Sequence, residues 1–247
     1  MSNRRIWFEI AVVLALSLGM SALYSIASIA VRLYREGSLD NQVATLNRSE
    51  SSIAWIDLVY QCLGIVASLA PVALVFYLVW RQQRPRLRAL GLDFTSIPKD
   101  SFWGISLAAI IGIPGLGLYL AGRQLGLSVT VIPSNLGDHW WSIPILIVSA
   151  FRAGLLEEVI AVGYLSFRLR MLNYPTGRIL ILQSLLRATY HLYQGLSAFI
   201  GNFVMGLVFG GFFNRTRRLV PLILGHALID IVAFVGYPIA VRFIPGF

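Results

Sequence analysis

Charge is what this sequence has least of. Only 13% of its 247 residues are Asp, Glu, Lys or Arg, while 57% are apolar. A soluble domain carries about 25% charged residues to meet water. With a mean hydropathy of +0.74, this chain cannot cover a soluble surface, and it has too much apolar bulk to be disordered. Cysteine is almost absent. The single Cys62 excludes a disulfide framework and a Cys-based metal site, and its place in an apolar run reads as a small buried hydrophobe. Lysine occurs once, at Lys99, so the net charge of +9 is carried by arginine. No internal repeat, low-complexity tract or soluble appendage is visible.

Long apolar runs are what is present. Between Glu9 and Arg32 lie 22 residues without a charge, enough for about 33 Å of helix across a hydrocarbon core of about 30 Å. Ser28-Ile29-Ala30 looks like a signal-cleavage site, but the apolar core exceeds the roughly 7–15 residues of a signal peptide, so the run is read as a retained span. Further spans are expected over 55–80, 102–121 with a kink at Pro114, 141–168, 179–193 (short for a full crossing), 196–213 and 219–241. Asn173-Tyr174-Pro175-Thr176-Gly177 is a turn, and Gln194-Gly195 breaks the fifth helix from the sixth. Gly206-Leu207-Val208-Phe209-Gly210 would let the sixth helix approach a neighbour closely. The expected fold is all-α, a polytopic membrane helix bundle with seven or eight transmembrane helices, forming a single domain over 1–247.

Arginine placement orients the bundle. With the N-terminus inside, 13 cations flank the cytoplasmic ends and five the other side, which favours an N-terminus in the cytoplasm. This accounts for the basicity without a nucleic-acid partner and leaves membrane lipids as the expected surroundings. The strip 81–88 reads first as a topology anchor and only second as a site for anionic lipid.

Ionisable side chains at bilayer depth are expensive, so each is a functional candidate. Here they are grouped: Arg152, Glu157 and Glu158 in the fourth span, Arg187 and His191 in the fifth, His226 and Asp230 in the seventh. At 1.5 Å per residue, Glu157 lies roughly 16 Å in, Glu158 15 Å, Arg187 12 Å, His191 18 Å, His226 10 Å and Asp230 16 Å. One slab near the membrane centre holds them all, and each charge needs a partner there. His226 and Asp230 share a helix face at i,i+4, as do Arg187 and His191. Glu157 and Glu158 stand about 100° apart, so the two are expected not to aim at one point. Ala153, Gly154, Ala161 and Gly163 thin the helix around them. Such a cluster suits water activation by a carboxylate, with imidazole N–H groups facing a developing oxyanion. Each histidine alone would read as hydrogen-bonding glue between helices. Arg152 reads as half of a structural ion pair. Glu9 and Asp57, near span ends, read as solvated, and His139, beside Trp140 and Trp141, as part of an interfacial aromatic belt.

At these residues the chain resembles the CAAX protease and bacteriocin-processing family of intramembrane endopeptidases. That family's pattern is a Glu-Glu pair with Arg four residues after the second Glu, then Phe-x-x-x-His, then His-x-x-x-Asn or Asp. The resemblance covers 151–237, within a catalytic core placed at 141–241. Glu157-Glu158 with Gly163-Tyr164-Leu165, then His191, then His226 and Asp230 after Leu219-Val220-Pro221, carry it. Two positions depart from the pattern: the first motif's arginine is Val162, and the second motif's phenylalanine is Arg187. Arg187, one turn before His191, is expected to restore the missing positive charge, so that Arg187→Ala costs activity with little loss of folded protein.

The resemblance implies an endopeptidase acting on membrane-associated peptides or proteins, in a bacterial cell membrane. Glu157 would be the general base, working with His191 on water, and His226 would face the oxyanion. Glu158 would be a supporting acid. Asp230 cannot donate a hydrogen bond as a carboxylate, so it would orient His226 and fix its tautomer. No cofactor is required on this reading. A divalent metal such as zinc on His191, His226 and a carboxylate is chemically conceivable, although no His-Glu-x-x-His helix is present. Two rival readings use the same residues. One is a non-catalytic relative serving as a membrane scaffold or bacteriocin-immunity protein. The other is a proton-coupled transporter, which would show internal repeats with matching broken helices.

Overall fold

The computed structural model describes residues 1–36, 39, 41–81, 84–85 and 87–236. Positions 82, 83 and 86 of the basic strip, the end of the last expected span and Arg242 therefore lie outside the described residues.

The first apolar run is not one rod. Helix α1 (Asn3–Ala15) and α2 (Leu18–Glu36) meet at a break bent by 55°. There the Ser17 hydroxyl donates to the Val13 carbonyl at 2.6 Å, the kind of local bond that competes with the helical ladder. Gly19 is needed on the inside of the bend, where a Cβ would lie 2.8 Å from the Leu14 carbonyl oxygen. The second run forms α3 (Ala54–Ser68) and α4 (Ala70–Leu78), with Pro71 in the first turn of α4, where a missing N–H does no harm. The third is α5 (Ile97–Gln124), which continues through Pro114.

The fourth run starts as α6 (Ser142–Glu157), widens into a π-helical stretch at Glu158–Tyr164 and closes as α7 (Leu165–Met171). Then follow α8 (Thr176–His191), α9 (Leu196–Thr216) and α10 (Val220–Ile231), the last prolonged by a second π-helical stretch at Val232–Gly236. Gly195, at φ +110, turns α8 into α9. A Cβ there would meet the Leu127 carbonyl at 2.6 Å, so only glycine fits beneath that loop.

Every residue of the Glu158–Tyr164 stretch is buried, which makes this the central rod of the bundle. By contrast, only 17% of the most apolar window of Ala54–Leu78, and of Ile97–Gln124, is buried inside the protein. Those helices turn apolar side chains such as Val66, Phe102 and Ile113 outward, toward lipid. Cys62 belongs to that outer surface. It is exposed, not buried as its apolar neighbours suggested, because in a bilayer an apolar run does not imply an interior.

The helical class stands, while the count of seven spans is not matched. Among the described residues three helices are long and apolar enough to cross a membrane, or four with the bent α1–α2 pair. The others fall short because α8 and α10 are only 16 and 12 residues long and the α6–α7 rod carries charges. A small amount of β structure was not foreseen. Val43–Asn47 and Thr130–Ser134 pair in parallel, and Trp80–Arg81 pairs with Arg84–Pro85.

Two acids expected in water are buried instead. Glu9 is sandwiched between Arg5 (3.0 Å) and the buried Arg168 (2.5 Å). Asp57 accepts from the Glu50 amide at 2.8 Å and the Gln61 side-chain amide at 3.2 Å. In each case a partner from a distant element, or from the loop preceding the helix, supplies the compensation that burial requires. His139 is exposed and stacks on Trp141 with ring centroids 5.0 Å apart, as an interfacial aromatic cluster would.

Candidate active site

Small residues bring the functional helices together. A Cβ on Gly154 would lie 2.9 Å from the Ile223 carbonyl, and one on Gly225 would lie 2.9 Å from that of Gly104. Helix α10 is thus seated almost backbone to backbone against both α6 and α5, which carries His226 to the Glu pair. On the other side, Gly206 faces the Cα of Ser184 at 2.7 Å from its would-be Cβ. The Gly206…Gly210 motif is therefore an intramolecular contact of α9 with α8. Gln183 then fastens α8 to the central rod by donating to the Val162 carbonyl (3.1 Å) and the Ser166 hydroxyl (2.6 Å). Arg187 and Tyr190 follow one and two turns later on the same face.

Glu158 sits at the bottom of this arrangement with no exposed surface. Its Oε1 accepts from Arg187 Nη2 at 2.6 Å and contacts His226 Nδ1 at 2.7 Å. An ionised carboxylate only accepts, so the His226 contact requires an N–H on Nδ1. The 3.5 Å approach of Arg187 Nη1 to the same nitrogen is then a contact between two donors and not a hydrogen bond. Glu157 lies higher, with 14% of its side chain exposed. Its Oε2 accepts from the Tyr190 hydroxyl at 2.6 Å and stands 3.7 Å from Arg187 Nη1 and 3.8 Å from His226 Nε2. The guanidinium is 1% exposed and is backed by the Met205 sulfur and the Phe209 ring.

The two carboxylates were expected to point to different places, and that expectation is corrected. Both reach the same Arg187–His226 pair. Glu158 begins a π-helical turn, whose i→i+5 ladder separates successive side chains by less than the α-helical 100°. The imidazole also offers one nitrogen to each acid.

Of the residues singled out by sequence, Glu157, Glu158, Arg187 and His226 form one cluster. Asp230 lies at its edge, 3.7 Å from His226 Nε2, beyond hydrogen-bond range. The bond that holds the imidazole comes from Glu158 instead. His191 ends α8 with its ring tilted against Tyr190 (centroids 4.7 Å apart) and its Nδ1 buried without a hydrogen-bond partner. Tyr190 was not foreseen as a site residue. Its spacing of three from Arg187, on a helix face already carrying a charge, was the available signal. Arg152 lies on α6 with its Nε buried and without a hydrogen-bond partner.

His226 Nδ1 is committed to Glu158, and among the described residues no three His, Cys, Asp or Glu side chains converge at metal-ligand spacing.

Residues 139–232 match the family model described as type II CAAX prenyl endopeptidase Rce1-like. The matched segment starts just before α6 and ends just past α10, and it encloses every member of the cluster. No curated protein and no solved structure matches the chain.

Proposed function

We propose that this membrane protein is a glutamate-dependent intramembrane endopeptidase whose base is Glu157, a reading supported by the similarity of residues 139–232 to the type II CAAX prenyl endopeptidase family model. The observation that carries the reading is the unequal standing of the two acids. Glu158 is sealed and bonded to Arg187 and His226, while Glu157 keeps partial exposure and stands within 4 Å of both cations' nitrogens. A base must touch its water, and of the two glutamates Glu157 is the one with exposed surface.

The steps follow from the groups present. Glu157, oriented by the Tyr190 hydroxyl, takes a proton from a water molecule as the oxygen attacks the scissile carbonyl. The imidazole of His226 faces the negative charge that develops on the carbonyl oxygen, and Arg187, sealed behind the two glutamates, adds its positive charge to the field there. His191, whose Nδ1 is uncommitted, stands beside Tyr190 to share the proton. The proton then passes from Glu157 to the departing amine, so that two products leave and the carboxylate is restored. Asp230 shapes the field around His226 without bonding to it. The substrate class is a membrane-associated peptide or protein, and the cellular setting a bacterial membrane with the N-terminus inside.

The test uses the full chain in detergent or vesicles, with a peptide ending in Cys-aliphatic-aliphatic-X, both prenylated and bare. Mass spectrometry reads release of the C-terminal tripeptide. Glu157→Gln keeps the side-chain shape and is expected to lower turnover about 10³-fold, within the range for loss of a general base, at unchanged protein abundance and melting temperature. Undiminished cleavage by that variant would refute the assignment. No cleavage by the wild type, with its cellular effect retained in Glu157→Gln, would favour the scaffold or immunity reading.

A further inference from the structure

Away from the acidic cluster, a cavity of about 410 Å³ opens where α7 and α9 end, lined by Arg88, Gly91, Ser166, Phe167, Arg170 and Arg217 with their neighbours. Neither Glu of the pair nor His226 lines it. Its walls are held in place by backbone. Gly91 (φ +85) has its would-be Cβ 2.5 Å from the Phe213 ring and 2.9 Å from the Arg217 carbonyl. The Gly91 carbonyl also accepts from the Leu219 amide at 2.8 Å. Gly163 lies against the Leu90 carbonyl, 3.0 Å from its would-be Cβ.

Three arginines, Arg88, Arg170 and Arg217, line this cavity with little to neutralise them. Arg170 donates to the neutral amide oxygen of Asn214 at 2.9 Å. Among the described residues the one carboxylate paired with any of the three is Asp93, 3.9 Å from Arg88, whose side chain is 77% exposed. Arg217 caps α9 in the left-handed conformation and is exposed. Helix α9 is 21 residues long, about 31 Å, so its ends lie at headgroup depth. The cavity therefore combines cations at the level of the lipid phosphates with the apolar surfaces of Phe167, Met171 and Phe213 just beneath.

We propose that this cavity binds an anionic phosphate group, carried by a lipid headgroup or free in solution. Guanidinium groups match phosphate oxygens with paired N–H donors, and juxtamembrane arginines attract anionic headgroups. This site is separate from the peptidase reading and stands or falls without it.

The experiment titrates the purified full chain, in a neutral maltoside detergent, with short-chain phosphatidylglycerol, with phosphatidylcholine of the same chain length and with inorganic phosphate. Heat of binding is recorded by calorimetry. Saturable binding of phosphatidylglycerol is expected. Arg88→Gln/Arg217→Gln, two exposed positions that leave the core intact, should weaken it about tenfold or more. Arg170→Gln should weaken it as well. Arg178→Gln/Arg215→Gln removes the same charge outside the lining and should leave affinity within about twofold of wild type. Competition by inorganic phosphate would assign the site to free phosphate, and its failure to compete to the lipid headgroup. Equal losses in the two double variants, or phosphatidylcholine binding as tightly as phosphatidylglycerol, would overturn the site.

Discussion

Two arginine–carboxylate knots in this molecule invite comparison, one at the centre of the bundle and one at its basic end. At the end, Arg218 grips Asp100 side-on, Nε to Oδ1 at 2.6 Å and Nη2 to Oδ2 at 2.7 Å. Its Nη2 also donates to the Asp93 carbonyl at 2.9 Å, and its Nη1 to the Asp93 carboxylate at 3.4 Å. The guanidinium's donors are matched almost completely. In the centre, Arg187 makes one close bond, to Glu158, and otherwise stands 3.5–3.8 Å from His226, Glu157 and the Met205 sulfur. Glu158 Oε2 and His191 Nδ1 are left buried without hydrogen-bond partners. A closed knot fastens the chain. An open one costs stability and keeps polar valence free for another molecule, which is the usual condition of a site that does chemistry.

The comparison can be broken first at Arg187. Its removal leaves the fully buried Glu158 with His226 as its one remaining partner, and taking one partner from a buried ion pair costs up to about 3–5 kcal/mol. Arg187→Ala is therefore expected to lower the melting temperature and the yield of folded protein as well as activity. This revises the expectation from sequence that folded protein would survive the change. Arg187→Lys keeps the charge without the fork and should recover much of the fold. A melting curve for Arg187→Ala that overlays the wild type would mean the central knot holds nothing together.

At the basic end the expected loss is smaller and of a different kind. Arg218→Gln removes charge-assisted bonds from Asp100, which is buried, while Arg218 itself keeps about a quarter of its surface. A cost of about 2 kcal/mol is expected, the scale of hydrogen bonds to a charged group. The turnover of the remaining folded protein should be that of the wild type. A variant that melts normally but cleaves slowly would reverse the roles assigned to the two knots.

How much of this was legible beforehand differs between the same two regions. Depth along a helix is readable from sequence, because each residue rises 1.5 Å. That is why Glu157, Glu158, Arg187 and His226 could be placed in one slab before any coordinates. Azimuth was not readable where the helix departs from α geometry. The π-helical turn at Glu158 aims both acids at one pair, and it left Asp230, rather than one of the two glutamates, at the margin. Pairings between distant segments were invisible for a simpler reason. The bonds from Arg168 to Glu9 and from Arg218 to Asp100 join residues more than 110 positions apart, and no local pattern encodes such a meeting. The parallel strands Val43–Asn47 and Thr130–Ser134 were missed likewise, since each is five residues long and its ladder partner lies far away in the sequence.

The smallest expected effect sharpens what closure means at the basic end. Asp93 lies in the loop before α5. Its carboxyl is held below the ordinary aspartate range first by the hydroxyl and amide of Thr95, then by Arg88 and Arg218. A carboxylate depressed in the folded state stabilises the protein above its unfolded pKa, and that contribution disappears as pH falls through the lower folded value. Asp93→Asn should thus melt slightly below the wild type at pH 7, by less than Arg218→Gln. The gap should narrow as the medium is acidified through and below pH about 3.8, the ordinary value for the group. Since Asp93 is only half-buried, salt should narrow it too. A gap that stays constant from pH 7 to pH 3 would show that the charge of the Asp93 carboxylate contributes nothing to stability. The knot at this end would then be Arg218 with Asp100, with Asp93 contributing its carbonyl and no charge.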